Sequence, residues 1–226
     1  LFITILIAPF TTIFETRYSG NDLKCLSNEF IGVLILETHI YMIRHCESPK
    51  LGGSEERRGL TRKGKFDASK LTTFLRNEDI EVFISSPYTR ALLSIEELAT
   101  ESGKEILLCE NFKECTFSKR DKVVPNEQLY PLVKKMFSNH EYAILGGETY
   151  DQCLDRAIFG LERVLRNFEG KRIAISTHGF VMTIMIRNFI KNIGFDFLME
   201  TTKPDVFLLK FDGMTVTEFT RIWREV

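Results

Sequence analysis

The sequence lacks the spacings that announce a bound metal or a nucleotide-binding loop. It has no H-E-x-x-H and no G-x-x-x-x-G-K-S/T, so neither a helical zinc pair nor a P-loop is expected. Its five cysteines, Cys25, Cys46, Cys109, Cys115 and Cys153, are odd in number and show no C-x-x-C. That argues against a disulfide framework and a zinc site; it fits a reducing cytosol, so a cytoplasmic location is expected. Neither sign of charge is in excess: 30 Lys and Arg stand against 31 Asp and Glu, a net charge of -1. Such a balance gives no support for a nucleic-acid or membrane partner, and the basic residues between Arg57 and Lys70 read as a solvated loop and helix face. Long apolar runs are also missing. Leu1 to Phe14 is mostly apolar but short for a membrane span and interrupted by Pro9, and it carries neither the charged start nor the small-residue cleavage site of a signal peptide. There is no internal repeat and no low-complexity segment.

What is present is an ordinary globular composition, 44% hydrophobic and 27% charged over 226 residues, enough for one large domain or one domain with an extension. Residues 39–44 are short, apolar and rich in β-formers, as are 80–84, 105–109 and 172–177, and each reads as a strand. Helices are expected between them. One starts near Thr61, with Phe66, Leu71, Phe74 and Leu75 on one face. Another starts at Ser86-Pro87 and carries Ala91, Ile95, Leu98 and Ala99. A short one carries Leu129, Val133 and Met136. The longest opens with the capping box Thr149-x-x-Gln152 and bears an apolar stripe from Leu154 to Phe168 that reads as core. A last helix follows His178-Gly179 to about Asn192. Val206 to Phe211 and Met214 to Phe219 flank Asp212-Gly213, a hairpin signal. Strands alternating with helices predict an α/β fold: a three-layer α/β/α sandwich on a mostly parallel sheet, with an antiparallel hairpin at the C-terminus.

Ligands in open α/β sheets bind beyond the carboxyl ends of the strands, so the polar residues expected there are the candidates. The first strand ends in Arg44-His45. The second ends in Ser85-Ser86, with Arg90 in the first turn of the next helix. Glu110 and Glu114 follow the third, and the fourth ends in Thr177-His178-Gly179. Two guanidinium groups suit a phosphate dianion through forked hydrogen bonds. A neutral imidazole is a nucleophile able to carry a phosphoryl group, a second imidazole can donate to the phosphoryl oxygens, and a carboxyl can protonate the leaving oxygen and then activate water. No metal or other cofactor is required by such a set.

These segments resemble the motifs of the histidine phosphatase superfamily, the phosphoglycerate mutase-like proteins. Arg44-His45-Cys46-Glu47-Ser48 is similar to that family's Arg-His-Gly-Glu-Thr, and Leu60-Thr61-Arg62-Lys63-Gly64 to its Leu-Thr-x-x-Gly. Ser85-Ser86-Pro87-Tyr88-Thr89-Arg90-Ala91 matches Ser-Ser-Pro-x-x-Arg-Ala. Gly147-Glu148-Thr149 resembles Gly-Glu-Ser, and Thr177-His178-Gly179 resembles Ser-His-Gly. The similarity runs in order from about Leu36 to the C-terminus. It implies His45 as the phosphoryl acceptor, Arg44, Arg90 and His178 as the phosphate pocket, and Glu114, favoured over Glu110, as general acid and then base. A catalytic glutamate of this kind needs a raised pKa, so partial burial of Glu114 is expected.

Two positions depart from the family pattern. Cys46 replaces the signature glycine and reads as a small packing residue rather than a redox thiol; Leu51 stands where many members place a phosphate-binding asparagine. Residues 36–226 are expected to form the catalytic domain, with 110–150 as a partly helical lid whose Phe112, Phe117, Lys119, Arg120 and Tyr130 offer apolar and cationic contacts. Residues 1–35 have no counterpart in the family core and read as an extension, atypical or upstream of the genuine start. The resemblance implies a metal-independent hydrolase acting on a small phosphomonoester. Two alternatives stay open, a mutase that returns the phosphoryl group to its substrate and a silent phosphatase fold used for binding. The oligomeric state is not indicated.

Overall fold

A computed structural model describes residues 36–50, 54–118, 123–144 and 146–223. The expected extension over 1–35, and Leu51, Lys119 and Arg120, lie outside these residues. The strands are β1 (Thr38–Arg44), β2 (Val82–Ser85), β3 (Ile106–Leu108), β4 (Arg172–Thr177), β5 (Asp205–Asp212) and β6 (Thr215–Arg221). They form one sheet in the order β3-β2-β4-β1-β5-β6. β1 and β2 both pair parallel with β4, and β3 pairs parallel with β2, while β5 runs antiparallel to β1 and β6 to β5. The helices are α1 (Arg62–Leu75), α2 (Thr89–Glu101), α3 (Asn126–Ser138), α4 (Tyr150–Asn167), α5 (Gly179–Phe189) and α6 (Phe195–Glu200).

Strand alternation explains the layers. On β1, Tyr41 and Ile43 join the core made with Leu71 and Leu75 of α1 and Ile95 and Leu98 of α2. Ile40 and Met42 face the other way, into the core made with Leu161 and Leu165 of α4 and Phe180 and Ile184 of α5. Both sheet faces are thus covered, which is why the strands read as nearly continuous apolar runs. The capping box is formed as expected: Thr149 accepts from the Gln152 amide and Gln152 reaches back to the Thr149 amide.

Three local expectations change. Phe66 and Phe74 do not share the buried face of α1; they are 64% and 41% exposed. Burial follows Gly64, Ala68, Leu71 and Leu75, a 3.6-residue stripe in which a glycine and an alanine set the close approach that the aromatic rings cannot. Ser86 does not cap α2, which begins two residues after Pro87 with Tyr88 in the cap position and no side-chain capping bond. The short helix α6 is an addition, too brief to show a period in sequence.

The start of α1 is tied to the loop after β1. Thr61 donates its N–H to the Glu47 carbonyl at 3.0 Å and its hydroxyl to the Glu47 carboxylate at 2.7 Å, and accepts from the Gly64 amide at 2.9 Å. Gly64 lies so near this loop that a Cβ there would fall 2.1 Å from the Glu47 carbonyl oxygen. That contact is with backbone, so relief requires moving either the helix or the strand end. Gly64→Ala is therefore expected to destabilise the fold by about 3 kcal/mol, read as a lowered urea midpoint with an unchanged slope.

One topological feature positions the site. Because β5 is antiparallel, its first residue, Asp205, pairs with the last residue of β1, Arg44. The segment before β5 therefore reaches the same sheet edge at which β1, β2 and β4 end.

Candidate active site

His45 continues β1, its amide bonded to the Thr177 carbonyl at 3.0 Å. The side chain is 4% exposed. Its Nδ1 lies 2.6 Å from the Cys46 carbonyl, an acceptor-only partner, so Nδ1 carries the proton and Nε2 keeps its lone pair. Nε2 in turn faces Arg90 Nε at 3.1 Å. Burial first, then the charges of Arg90, His178 and Lys203, hold His45 well below the usual histidine range. The ring is neutral at physiological pH, the state a nucleophile requires.

Arg90 is fully buried. Its Nη1 donates to the Glu55 carbonyl at 2.5 Å, its Nη2 sits 3.0 Å from the Glu55 carboxylate in ion-pair contact without hydrogen-bond geometry, and its guanidinium lies 4.9 Å from the centre of the Tyr88 ring. Burial, then Arg58, lowers it to about 10, and it remains a cation. Arg44 donates Nη1 to the Thr201 carbonyl at 2.8 Å and to the Thr201 hydroxyl, leaving Nε without a partner. Gly179 makes room for it: a Cβ there would lie 2.8 Å from the guanidinium carbon of Arg44. His178 follows β4 directly, in the cap position of α5, and shares a hydrogen bond through Nε2 with the Ser86 hydroxyl, 2.7 Å away. Its ring stands edge-on to His45 at 5.2 Å between centroids. Burial first, then Arg90, also keeps His178 well below the usual range.

Glu114 joins this group and Glu110 does not. The Glu110 side chain is 74% exposed, at 3.9 Å from Lys113. Glu114 lines the same cleft as Arg44 and His45 and accepts from the Cys115 amide at 2.9 Å. The residue as a whole keeps some contact with solvent, but its carboxyl is deeply desolvated, and this raises its pKa although Arg90 opposes the shift. The five residues singled out in the sequence are thus brought together, with Arg44, His45 and Glu114 on the cleft and Arg90 and His178 behind it. The cleft is narrow, with a cavity volume of about 50 Å³, and it is partly open to solvent. Phe117, Tyr130, Leu129 and Val133, from the segment expected as a lid, form part of its wall.

Cys46 proves compatible with its position. Asp79 and Asn192 are the non-glycine residues with positive φ among those described, so Cys46 is not strained. Its amide donates to the Ser94 hydroxyl at 2.8 Å, and burial pushes the thiol up to about 12, which keeps it protonated and unreactive.

Several contributors had escaped sequence reasoning. Arg58 belongs to the basic stretch that reads as a solvated loop, yet it and Glu55 are only partly exposed, unlike Glu56 and Arg57 between them; Glu55 grips Arg58 at 2.6 Å and Arg90 at 3.0 Å. Arg156 braces the segment that carries Glu114: it pairs with Glu148 through Nε at 2.7 Å and Nη2 at 2.8 Å, and donates to the Asn111 and Lys113 carbonyls at 2.7 and 3.0 Å. Cys115, Glu148 and Cys153 offer ligand atoms within 4.8 Å of one another. Arg156 already supplies the positive charge among them, with Nη2 3.3 Å from the Cys153 sulfur, and burial lifts the Cys115 thiol well above its usual range. A protonated thiol beside a paired carboxylate is a structural brace rather than a metal site. Thr201, Thr202 and Lys203 arrive with the turn before β5, where Asp205 accepts from the Thr202 amide at 2.9 Å and clamps Arg221 of β6 at 2.7 Å.

Among the described residues, no helix is long and apolar enough to cross a membrane. No curated protein matches the chain by sequence. Solved structures do match it. YhfR from Bacillus stearothermophilus is 23% identical with a TM-score of 0.66, covering 79% of this chain and 94% of that one. A phosphoserine phosphatase from Entamoeba histolytica in complex with phosphoserine is 21% identical with a TM-score of 0.66, covering 80% and 96%. A mycobacterial glucosyl-3-phosphoglycerate phosphatase with inorganic phosphate is 13% identical with a TM-score of 0.66, covering 83% and 97%. At these identities the likeness is one of fold. The family model of the histidine phosphatase superfamily, branch 1, matches residues 40–214, a span that holds all five site residues. The chain therefore belongs to the histidine phosphatase superfamily, branch 1.

Proposed function

We propose that the chain hydrolyses small phosphomonoesters through a phosphohistidine on His45. The observation that carries this reading is the state of His45: Nδ1 tied to the Cys46 carbonyl at 2.6 Å, Nε2 unprotonated beside a buried arginine, in a cleft that also holds a protonatable Glu114. In the first step His45 Nε2 attacks phosphorus, the ester P–O bond breaks, and the leaving oxygen takes the proton of Glu114. Arg44, Arg90 and His178 hold the charge on the phosphoryl oxygens. The Cys46 carbonyl steadies the Nδ1–H as the ring becomes cationic. In the second step Glu114, now a carboxylate, takes a proton from water as that water attacks phosphorus, and the N–P bond breaks to return neutral His45. Residues 36–226 act here as the catalytic domain and 110–150 as its lid, braced by Arg156. The free thiols of Cys46, Cys109, Cys115 and Cys153 favour a reducing, cytoplasmic setting.

Hydrolysis of 4-nitrophenyl phosphate by the purified full chain tests the proposal. Turnover that persists in excess EDTA is expected, because arginines supply the positive charge. A mutase would isomerise a phosphoglycerate without releasing phosphate, and a silent binding fold would release none from any ester; either result overturns hydrolysis as the function.

A further inference from the structure

The cleft holds more positive charge than one phosphoryl group uses. Arg44 and Arg90 flank His45, and Glu55 is engaged by Arg58 and Arg90. Lys50 and Lys203 also line this cleft, and among the described residues neither is in an ion pair. Both are substantially desolvated. Burial, then the charges of Arg44, Lys50, Arg58 and Arg90, brings the Lys203 ammonium down to about 7, and burial also lowers Lys50. Withdrawing an ammonium from water among like charges is costly unless an anion meets it. The fold does not need the charge, since the turn that carries Lys203 is held by Asp205 and Arg221. A phosphomonoester dianion bound beside a protonated Glu114 leaves the remaining cations uncompensated. The space does not end at His45 either: Arg44, Tyr130, Leu198 and Lys203 also border an adjoining open hollow of about 330 Å³, lined too by Thr202 and Lys63, so the alcohol part of an ester has room beside Lys203.

We propose that the substrate carries a second anionic group, a carboxylate or a further phosphate, on its alcohol part, and that Lys203 with Lys50 receives it. This rests on the phosphatase reading above and narrows it from any small ester to one with two anionic ends. Lys203 is in this account a specificity residue. A lysine that merely kept His45 neutral would affect every substrate alike, so the quantity that matters is a ratio between substrates.

The test compares ethyl phosphate, phosphoglycolate and propane-1,3-diyl bisphosphate with the full chain. At least one anion-bearing ester is expected to exceed ethyl phosphate in kcat/KM by roughly thirtyfold, the scale of a charge-assisted contact. Lys203→Met should shrink that ratio about tenfold and Lys203→Arg should retain most of it. Whichever ester wins identifies the second group. A ratio near one for the wild type, or a ratio that Lys203→Met leaves intact, overturns the proposal while hydrolysis itself stands. Binding of phosphonoacetate against methylphosphonate to His45→Ala, by calorimetry, gives a reading independent of turnover. Loss of the phosphonoacetate preference on adding Lys203→Met upholds the second-anion site even if no ester is hydrolysed, and equal affinities refute it. Folding of Lys203→Met is checked by its melting temperature, expected at or above that of the wild type because an unpaired buried cation is removed.

Discussion

His45→Ala is expected to lower kcat on a small phosphomonoester by roughly 10⁴-fold or more, the scale of losing a covalent nucleophile. No neighbour can replace it. His178 is committed at Nε2 to Ser86 at 2.7 Å, and Cys46 keeps its proton, its thiol raised to about 12 by burial. The same substitution should abolish the covalent intermediate. Quenching the wild type during turnover of labelled substrate should trap a phosphoprotein that survives base and is lost in acid, as a phosphoramidate is, and the variant should trap none. Retention of the labelled protein in His45→Ala would place the acceptor elsewhere. The loss should be chemical and not a collapse of the fold, because Arg90 keeps its two contacts with Glu55. A melting temperature close to the wild-type value checks that.

The second large effect concerns Glu114. Glu114→Gln keeps the shape and the hydrogen bond from the Cys115 amide but removes the transferable proton. For an alkyl phosphate, whose leaving oxygen must be protonated, kcat/KM should fall by roughly 10²- to 10³-fold. For 4-nitrophenyl phosphate, whose leaving group departs as an anion, the first step should be much less affected. The pH profile gives the sign. Glu114 has a raised pKa and must be protonated to act as acid, so alkyl phosphate turnover holds at low pH and declines as pH rises through that value. His45 has a depressed pKa and must be neutral to attack, so turnover declines as pH falls through that value. The wild type is expected to show both limbs. Glu114→Gln should lose the alkaline limb and keep the acid one; an alkaline limb that survives would assign it to another group.

Legibility differed between residues for physical reasons. Arg44, His45, Arg90 and His178 were readable because each ends a strand, follows one directly or sits in the first turn of the next helix, and a parallel sheet sends those ends to one edge. Glu114 was readable only through the resemblance. It lies in an irregular stretch after a three-residue strand, where no periodicity gives direction, and the exposed Glu110 stands closer to the strand end. Ser86 was assigned a role at the helix start that Tyr88 holds instead, because a Ser-Pro pair reads as a cap whether or not the serine is drawn away by a histidine 92 residues later. Phe66 illustrates the limit of reading by residue type: an aromatic ring suggested a buried face, whereas the close contact of Gly64 with Glu47 turned that ring outward.

The chain's own order of residues determined the α/β class, the capped long helix, the C-terminal hairpin and the strand-end pair Arg44-His45, since each depends on spacing along a few residues. Tertiary structure alone decided the rest of the site. Pairing β5 antiparallel with β1 carried Thr201 and Lys203 to an edge where a search along parallel strand ends does not look. Burial within the assembled layers set the protonation states of His45, His178, Glu114 and Lys203. Those states arise from desolvation and from charges that are distant in sequence, and neither exists until the sheet and its helices close around them.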